Sequence, residues 1–158
     1  MDEAYVQSIV EEILNNIITP KMNLSKAILL TKRIKEEAER MGVSAVVAIS
    51  NEAGRPITVQ CMDDSYIASY DVAVNKSYTV VALKMSTLEL KELSQPGCSL
   101  YGIQFTNDGK LIIFGGGVPL FYKGRLIGGL GVSGGTEEQD SLLAVYGQKC
   151  LEEVMLCQ

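Results

Sequence analysis

The sequence predicts an α+β fold, with helices in separate blocks around an antiparallel sheet. Three observations carry that expectation. Two helical stretches come before any strand-like segment. A turn, Asn51-Glu52-Ala53-Gly54, then joins two β-rich runs as a hairpin. Finally, a glycine-punctuated meander of short apolar runs leads into one closing helix.

The elements follow in chain order. Val6, Ile9, Val10, Ile13, Leu14 and Ile17 recur with helical spacing and form one apolar stripe, with Asp2 and Glu3 at the positive end of the helix dipole. Pro20 ends that run, and Thr19 to Met22 reads as a linker. Asn23 is placed to cap a second helix, Leu24 to Met41, closed by Gly42, with an apolar face of Leu24, Ala27, Ile28, Thr31, Ile34, Ala38 and Met41. Val43 to Ser50 and Pro56 to Met62 are the hairpin strands, the second with Ile57, Val59 and Cys61 on one face. Asp63-Asp64-Ser65 offers cap chemistry to a helix from Tyr66 to Met85, and Ser86 caps a short one over Thr87 to Leu93. Tyr101 to Phe105, Leu111 to Phe114, Val118 to Tyr122 and Arg125 to Ser133 read as strands, and Thr136 with Gln139 forms a capping box for the last helix.

Composition narrows the chemistry. A chain of 158 residues suits one domain and buries roughly 70% of its unfolded surface. It contains no histidine and no tryptophan, which excludes a Ser-His-Asp triad, a Cys-His pair and any imidazole ligand to a metal. The net charge of -5, with no basic patch, argues against nucleic acid and anionic membranes as partners. The acidic start is unlike a signal peptide, and no apolar run reaches the roughly 18 residues of a membrane span, so a cytoplasmic protein is expected. Cys61, Cys98, Cys150 and Cys157 show no metal-ligand spacing and are expected to be buried or semi-buried free thiols.

Three places are candidates for binding. Gly115-Gly116-Gly117-Val118-Pro119 exposes backbone donors able to cradle an anion, or else forms a tight corner or a contact between subunits. Gly131-Val132-Ser133-Gly134-Gly135-Thr136 sits at a strand-to-helix junction, but Glu137, Glu138 and Asp140 already fill the first helical turn and read as solvated surface. Lys76, in an Ala- and Val-rich helix, is either poised in a pocket with a lowered pKa or reaches water along its stem. Tyr78 points elsewhere. The two glycine stretches are expected to meet at one rim, where Gly116→Val would abolish assembly or ligand retention with the core still folded. No catalytic constellation emerges, and no metal site.

The stretch from Asn23 onward resembles the GlcG/HbpS-like family, also described as haem-degrading or PduO C-terminal-like domains. The matching text is Asp71-Val-Ala-Val-Asn75-Lys76-Ser-Tyr78, Gln95-Pro96-Gly97, Ile113 through Leu120, and Ile127 through Thr136, closing on Glu138-Gln139-Asp140. The resemblance implies profilin-like α-β-α layers and a homo-oligomer. The candidate ligand-binding or interface residues are Lys76, Tyr78, Gly115, Gly116, Gly117, Pro119, Gly131, Ser133, Gly134 and Gly135. Haem or a corrinoid is the cofactor the resemblance suggests, although the sequence offers only Met, Cys, Tyr or Lys as an iron ligand.

Residues 1–22 fall outside that resemblance, which divides the chain into a helix with its linker and a domain over 23–158. The amphipathic helix looks like the encapsulation peptides that dock cargo to the shell or to other cargo of a bacterial microcompartment. The alternative is a helix packed on its own domain or across a subunit interface. The expected function is accordingly a non-catalytic accessory or cofactor-binding protein, cargo of a microcompartment linked to diol or cobalamin-dependent metabolism. The competing expectation is a haem- or corrinoid-binding redox or degrading protein.

Overall fold

The computed structural model describes residues 2–17 and 20–157, with the side chains of all of these except 11, 12 and 14–17. Helix α1 (Glu3–Ile17) comes first, and its described apolar side chains Tyr5, Val6, Ile9, Val10 and Ile13 stay between 37% and 60% exposed. The side chains of Leu14 and Ile17, and Thr19 of the expected linker, lie outside the described residues.

Helix α2 (Leu24–Arg40) begins where the Asn23 side chain accepts the Lys26 N–H at 2.9 Å. It ends ahead of Gly42, whose φ of +69° suits a residue without a Cβ. Its buried stripe is Ala27, Leu30, Thr31, Ile34 and Ala38. Leu24 and Ile28, expected on that face, are exposed instead, because the helix is rotated to bring Leu30 inward.

Strands β1 (Val46–Asn51) and β2 (Pro56–Cys61) form the expected hairpin, closed by Asn51, whose carboxamide oxygen accepts the N–H groups of Ala53 and Arg55. One expectation fails here. Ile57 and Val59 do not share a face, since Ile49 pairs with Thr58 and Ser50 with Pro56, leaving Ile57 as a bulged extra residue. Ile57 packs with the larger core and Val59 with the opposite face.

Helix α3 (Ile67–Leu83) starts without a side-chain cap, so Asp63, Asp64 and Ser65 do not serve that role. A Ser86 capping box opens α4 (Thr87–Leu93). From Leu100 to Phe114 the chain forms two short 3-10 turns, Ile103–Phe105 and Asn107–Gly109, and irregular backbone rather than the two expected strands. Positive φ at Gly102, Asn107, Asp108 and Gly109 bends it too often to run straight. Strands β3 (Gly117–Tyr122) and β4 (Arg125–Ser133) complete an all-antiparallel sheet of order β2-β1-β4-β3. Thr136 and Gln139 make the expected capping box for α5 (Glu137–Leu156).

The two faces of the sheet are unequal. On one, Val47, Ile49, Leu120, Leu130 and Val132 pack beneath α2 and α5 in the main core, with Leu30, Ile34, Leu143 and Val154 fully buried there. On the other, α3 lies against Val46 and Ala48 through Ala73, and the β4 partners of Ala48 and Ser50 are Gly131 and Gly129. The fold is therefore α+β, with helices on both sides of one sheet. The cysteine expectation is corrected: Cys61, Cys98 and Cys157 are exposed and only Cys150 is half-buried, all as free thiols. Among the described residues no helix is long and apolar enough to cross a membrane.

Candidate functional site

The two glycine stretches meet as expected. Gly117 pairs with Gly131 across β3 and β4, and the Val132 N–H donates to the Gly116 carbonyl at 2.8 Å. What fills the meeting point is Lys76. Its side chain is 0% exposed, and its Nζ donates to the Val132 carbonyl at 2.7 Å and to Asp140 Oδ2 at 2.9 Å. The Phe114 ring lies over the same ammonium, 5.0 Å from Nζ to ring centroid. Burial pushes the Lys76 pKa down, against the opposing pull of Asp140.

Asp140, expected on solvated surface, is inside. It is buried, with Oδ1 accepting the Gly135 N–H at 2.9 Å while Oδ2 holds Lys76. Gly116 explains why the loop lacks side chains. Its φ is +108°, and a Cβ there would lie 2.5 Å from Lys76 Nζ and 2.7 Å from the Val132 carbonyl oxygen. At Gly117 a Cβ would lie 2.7 Å from the Thr87 methyl, and the Gly117 N–H donates to Thr87 Oγ1. Glu137 braces the outer side, accepting the Gly115 N–H at 2.9 Å and pairing with Lys91 at 2.7 Å. That pair raises the Lys91 pKa and holds the Glu137 carboxyl below its ordinary range.

In front of this junction lies a cleft of about 300 Å³, bounded by Tyr66, Ser69, Phe114, Ser133, Gly134-Gly135 and the Glu137 and Asp140 carboxylates. Ser133 and Ser69 join their hydroxyls at 3.1 Å along its wall. Of the predicted site residues, Ser133, Gly134 and Gly135 line the cleft; Lys76, Gly115, Gly116, Gly117 and Gly131 stand behind or beside it. Pro119 is buried in β3, where its carbonyl accepts from Gln148. Tyr78 is elsewhere, against the β1–β2 turn and Asn107. The residue missed was Asp140. It falls on the apolar stripe of α5 with Leu143, Ala144, Gly147, Leu151 and Val154, and a carboxylate at such a position needs a buried counter-charge.

This cleft does not fit haem. Its lining holds neither sulfur nor amine, it offers only the phenol of Tyr66 among the customary axial ligands of haem iron, and its two carboxylates are already taken by Lys76 and Lys91.

Residues 22–149 match the family model described as haem degrading protein HbpS-like. An uncharacterized 15.0 kDa protein in the dhaT-dhaS intergenic region of Citrobacter freundii is 39% identical over 84% of this chain and 94% of that protein. The corrinoid adenosyltransferase PduO of Salmonella typhimurium is 42% identical over 73% of this chain, which spans only 34% of that enzyme's length. Among solved structures, a PduOC:heme complex superposes with a TM-score of 0.79 and 37% identity, covering 82% of this chain and 94% of that one.

Proposed function

The chain belongs to the HbpS-like family, and on that ground we propose that it is a non-catalytic accessory protein, a homo-oligomeric small-molecule-binding module carried as cargo of a bacterial microcompartment linked to diol or cobalamin-dependent metabolism. The observation that carries the non-catalytic reading is the closure of the Lys76–Asp140 pair. Among the described residues these are the only buried charged groups, and each is held by the other and by a backbone partner. A general base or nucleophile needs a lone pair facing its substrate, and the Lys76 ammonium faces a carboxylate, a carbonyl and a ring instead.

Two observations support the association with corrinoid metabolism and delivery by the N-terminal helix. One is the likeness to part of PduO. The other is α1, whose described apolar residues are exposed and which precedes the matched region. The test is a fusion of residues 1–20 to a fluorescent protein, expressed with and without microcompartment shell proteins. Foci that require the shell are expected, and diffuse fluorescence in both cells rejects the cargo reading.

A second reading, a haem- or corrinoid-binding protein, is favoured by the likeness to the structure solved with heme. Titration with haemin and then with cobalamin separates the two. A Soret shift that saturates at one equivalent and survives competition by albumin supports the second reading over the first.

A further inference from the structure

At the β1–β2 turn a different cleft, of about 360 Å³, opens between the turn, α3 and the loop before β3. Its useful walls are Arg55, Val74, Asn75, Tyr78 and Lys110. It reverses the charge of the cleft beside Asp140. Two cations line it and no carboxylate does, in a chain whose net charge is -5. Glu52 and Asp108, close in sequence, are not among its walls, and among the described residues neither Arg55 nor Lys110 is ion-paired.

Both cations stand on fixed backbone. The Asn51 carboxamide oxygen accepts the Arg55 N–H at 3.0 Å, and the Asn51 N–H donates to the Arg55 carbonyl at 2.9 Å. The Lys110 carbonyl accepts from the Thr79 hydroxyl, and the Lys110 N–H donates to Asn107. The ring of Tyr78 is held as well. A Cβ on Gly54, whose φ is +71°, would stand 3.0 Å from Tyr78 Cδ2, and the Asn107 amide donates to the Tyr78 oxygen at 3.2 Å. Tyr78 thus presents a fixed aromatic wall, with Val74 beside it and the Asn75 amide at hand.

We propose that this cleft binds a small organic oxyanion, a carboxylate or phosphate on an apolar or aromatic body, with the anion between Arg55 and Lys110 and the body against Tyr78 and Val74. Two cations on opposite walls of one cleft, each on hydrogen-bonded backbone beside a held aromatic ring, favour such a group because only their side chains remain to be ordered on binding. The inference is independent of haem and corrinoid binding, and its probes contain neither.

The test is an amide-resolved NMR titration of the full chain with phenyl phosphate, benzoate and benzylamine, each to about 10 mM, tenfold beyond a millimolar dissociation constant. Saturable shifts at Gly54, Asn75, Tyr78 and Lys110 are expected with one or both anions, the tighter one naming the oxyanion. Benzylamine should not produce them. Arg55→Gln and Lys110→Gln are exposed changes that should leave the rest of the spectrum in place, and each should weaken the bound anion about tenfold. No saturable shift with either anion overturns the proposal, as does equal binding of benzylamine, or affinity unchanged in the Arg55→Gln/Lys110→Gln double variant.

Discussion

Two lysine–carboxylate pairs brace the same glycine loop, one from inside and one from outside. Lys76 and Asp140 have side chains 0% and 6% exposed; Lys91 and Glu137 have 38% and 27%. Both carboxylates come from the first turn of α5, three residues apart, and each also accepts a backbone N–H from a glycine-rich segment. Water separates their consequences. The outer pair is screened and replaceable, since its members are readily hydrated when parted. The inner pair gains less from forming than its members would lose by being left alone, because a lone charge there has no solvent to turn to. The inner pair therefore specifies how α3, β4 and α5 fit together, while the outer one trims a surface.

The largest expected effect is that of Asp140→Ala. It strands the Lys76 ammonium and the Gly135 N–H, and should cost about 3–5 kcal/mol in urea unfolding, the range for breaking a buried pair. Glu137→Gln should shift the same midpoint by a small fraction of that. The Lys76→Met/Asp140→Leu double variant should recover much of the loss. Equal costs for Asp140→Ala and Glu137→Gln would erase the contrast.

Gly116→Ala comes next, at about 2 kcal/mol or more, from a φ of +108° and a Cβ set against Lys76 Nζ, the Val132 carbonyl and Asp140 Cβ. This revises the expectation that a bulkier residue there would spare the core, because the loop packs on the buried pair rather than only on a rim. A Gly116→Ala midpoint equal to that of the wild type would show that the loop yields.

A pH series sharpens the difference further. Burial sets the folded pKa of Lys76 below the 10.5 of the unfolded side chain. Between those two values the unfolded chain holds more protons, so stability from this group rises with pH; below the folded pKa the full cost of the buried charge is in force. The wild type should therefore gain on Lys76→Met as pH climbs toward 10.5, measured by urea unfolding at successive pH values. A wild type that instead loses ground to Lys76→Met over that range means the ammonium is favoured inside. The smallest effect belongs to α1. Deleting residues 1–20 should leave the melting temperature of the remainder nearly unchanged, and a large drop would make the helix part of the core.

Local chemistry made much of this fold legible. Asn23, Ser86 and Thr136 act within three or four residues of themselves, and each caps the helix its neighbours imply. The hairpin is equally clear from its turn and its β-branched strands, and β4 from the Lys123-Gly124 turn before it. The segment from Tyr101 to Phe114 misled because apolar runs there pack as irregular backbone, broken by left-handed residues such as Asp108 that no hydrophobic pattern signals. At the candidate site the glycines were visible but their purpose was not. Lys76 and Asp140 are 64 residues apart, and only the helical phase of Asp140 with Leu143 and Gly147 hinted that it faced inward.

The glycines of β4 have one more consequence. A Cβ on Gly129 would collide with the Ser77 carbonyl and one on Gly131 with the Ala73 carbonyl, so α3 rests directly on the strand's backbone. Helices usually find their place on a sheet by fitting side chains between side chains, which fixes the seat in steps. Here the flat contact leaves the helix's lengthwise position to a few polar ties, Ser50 donating to the Ser77 carbonyl and Ser133 meeting Ser69 among them. Lys76 is the strongest of these ties. One turn past Ala73 and bonded to Val132 and Asp140, it pins α3 lengthwise together with those serines, so its loss should loosen axial alignment before it loosens the core.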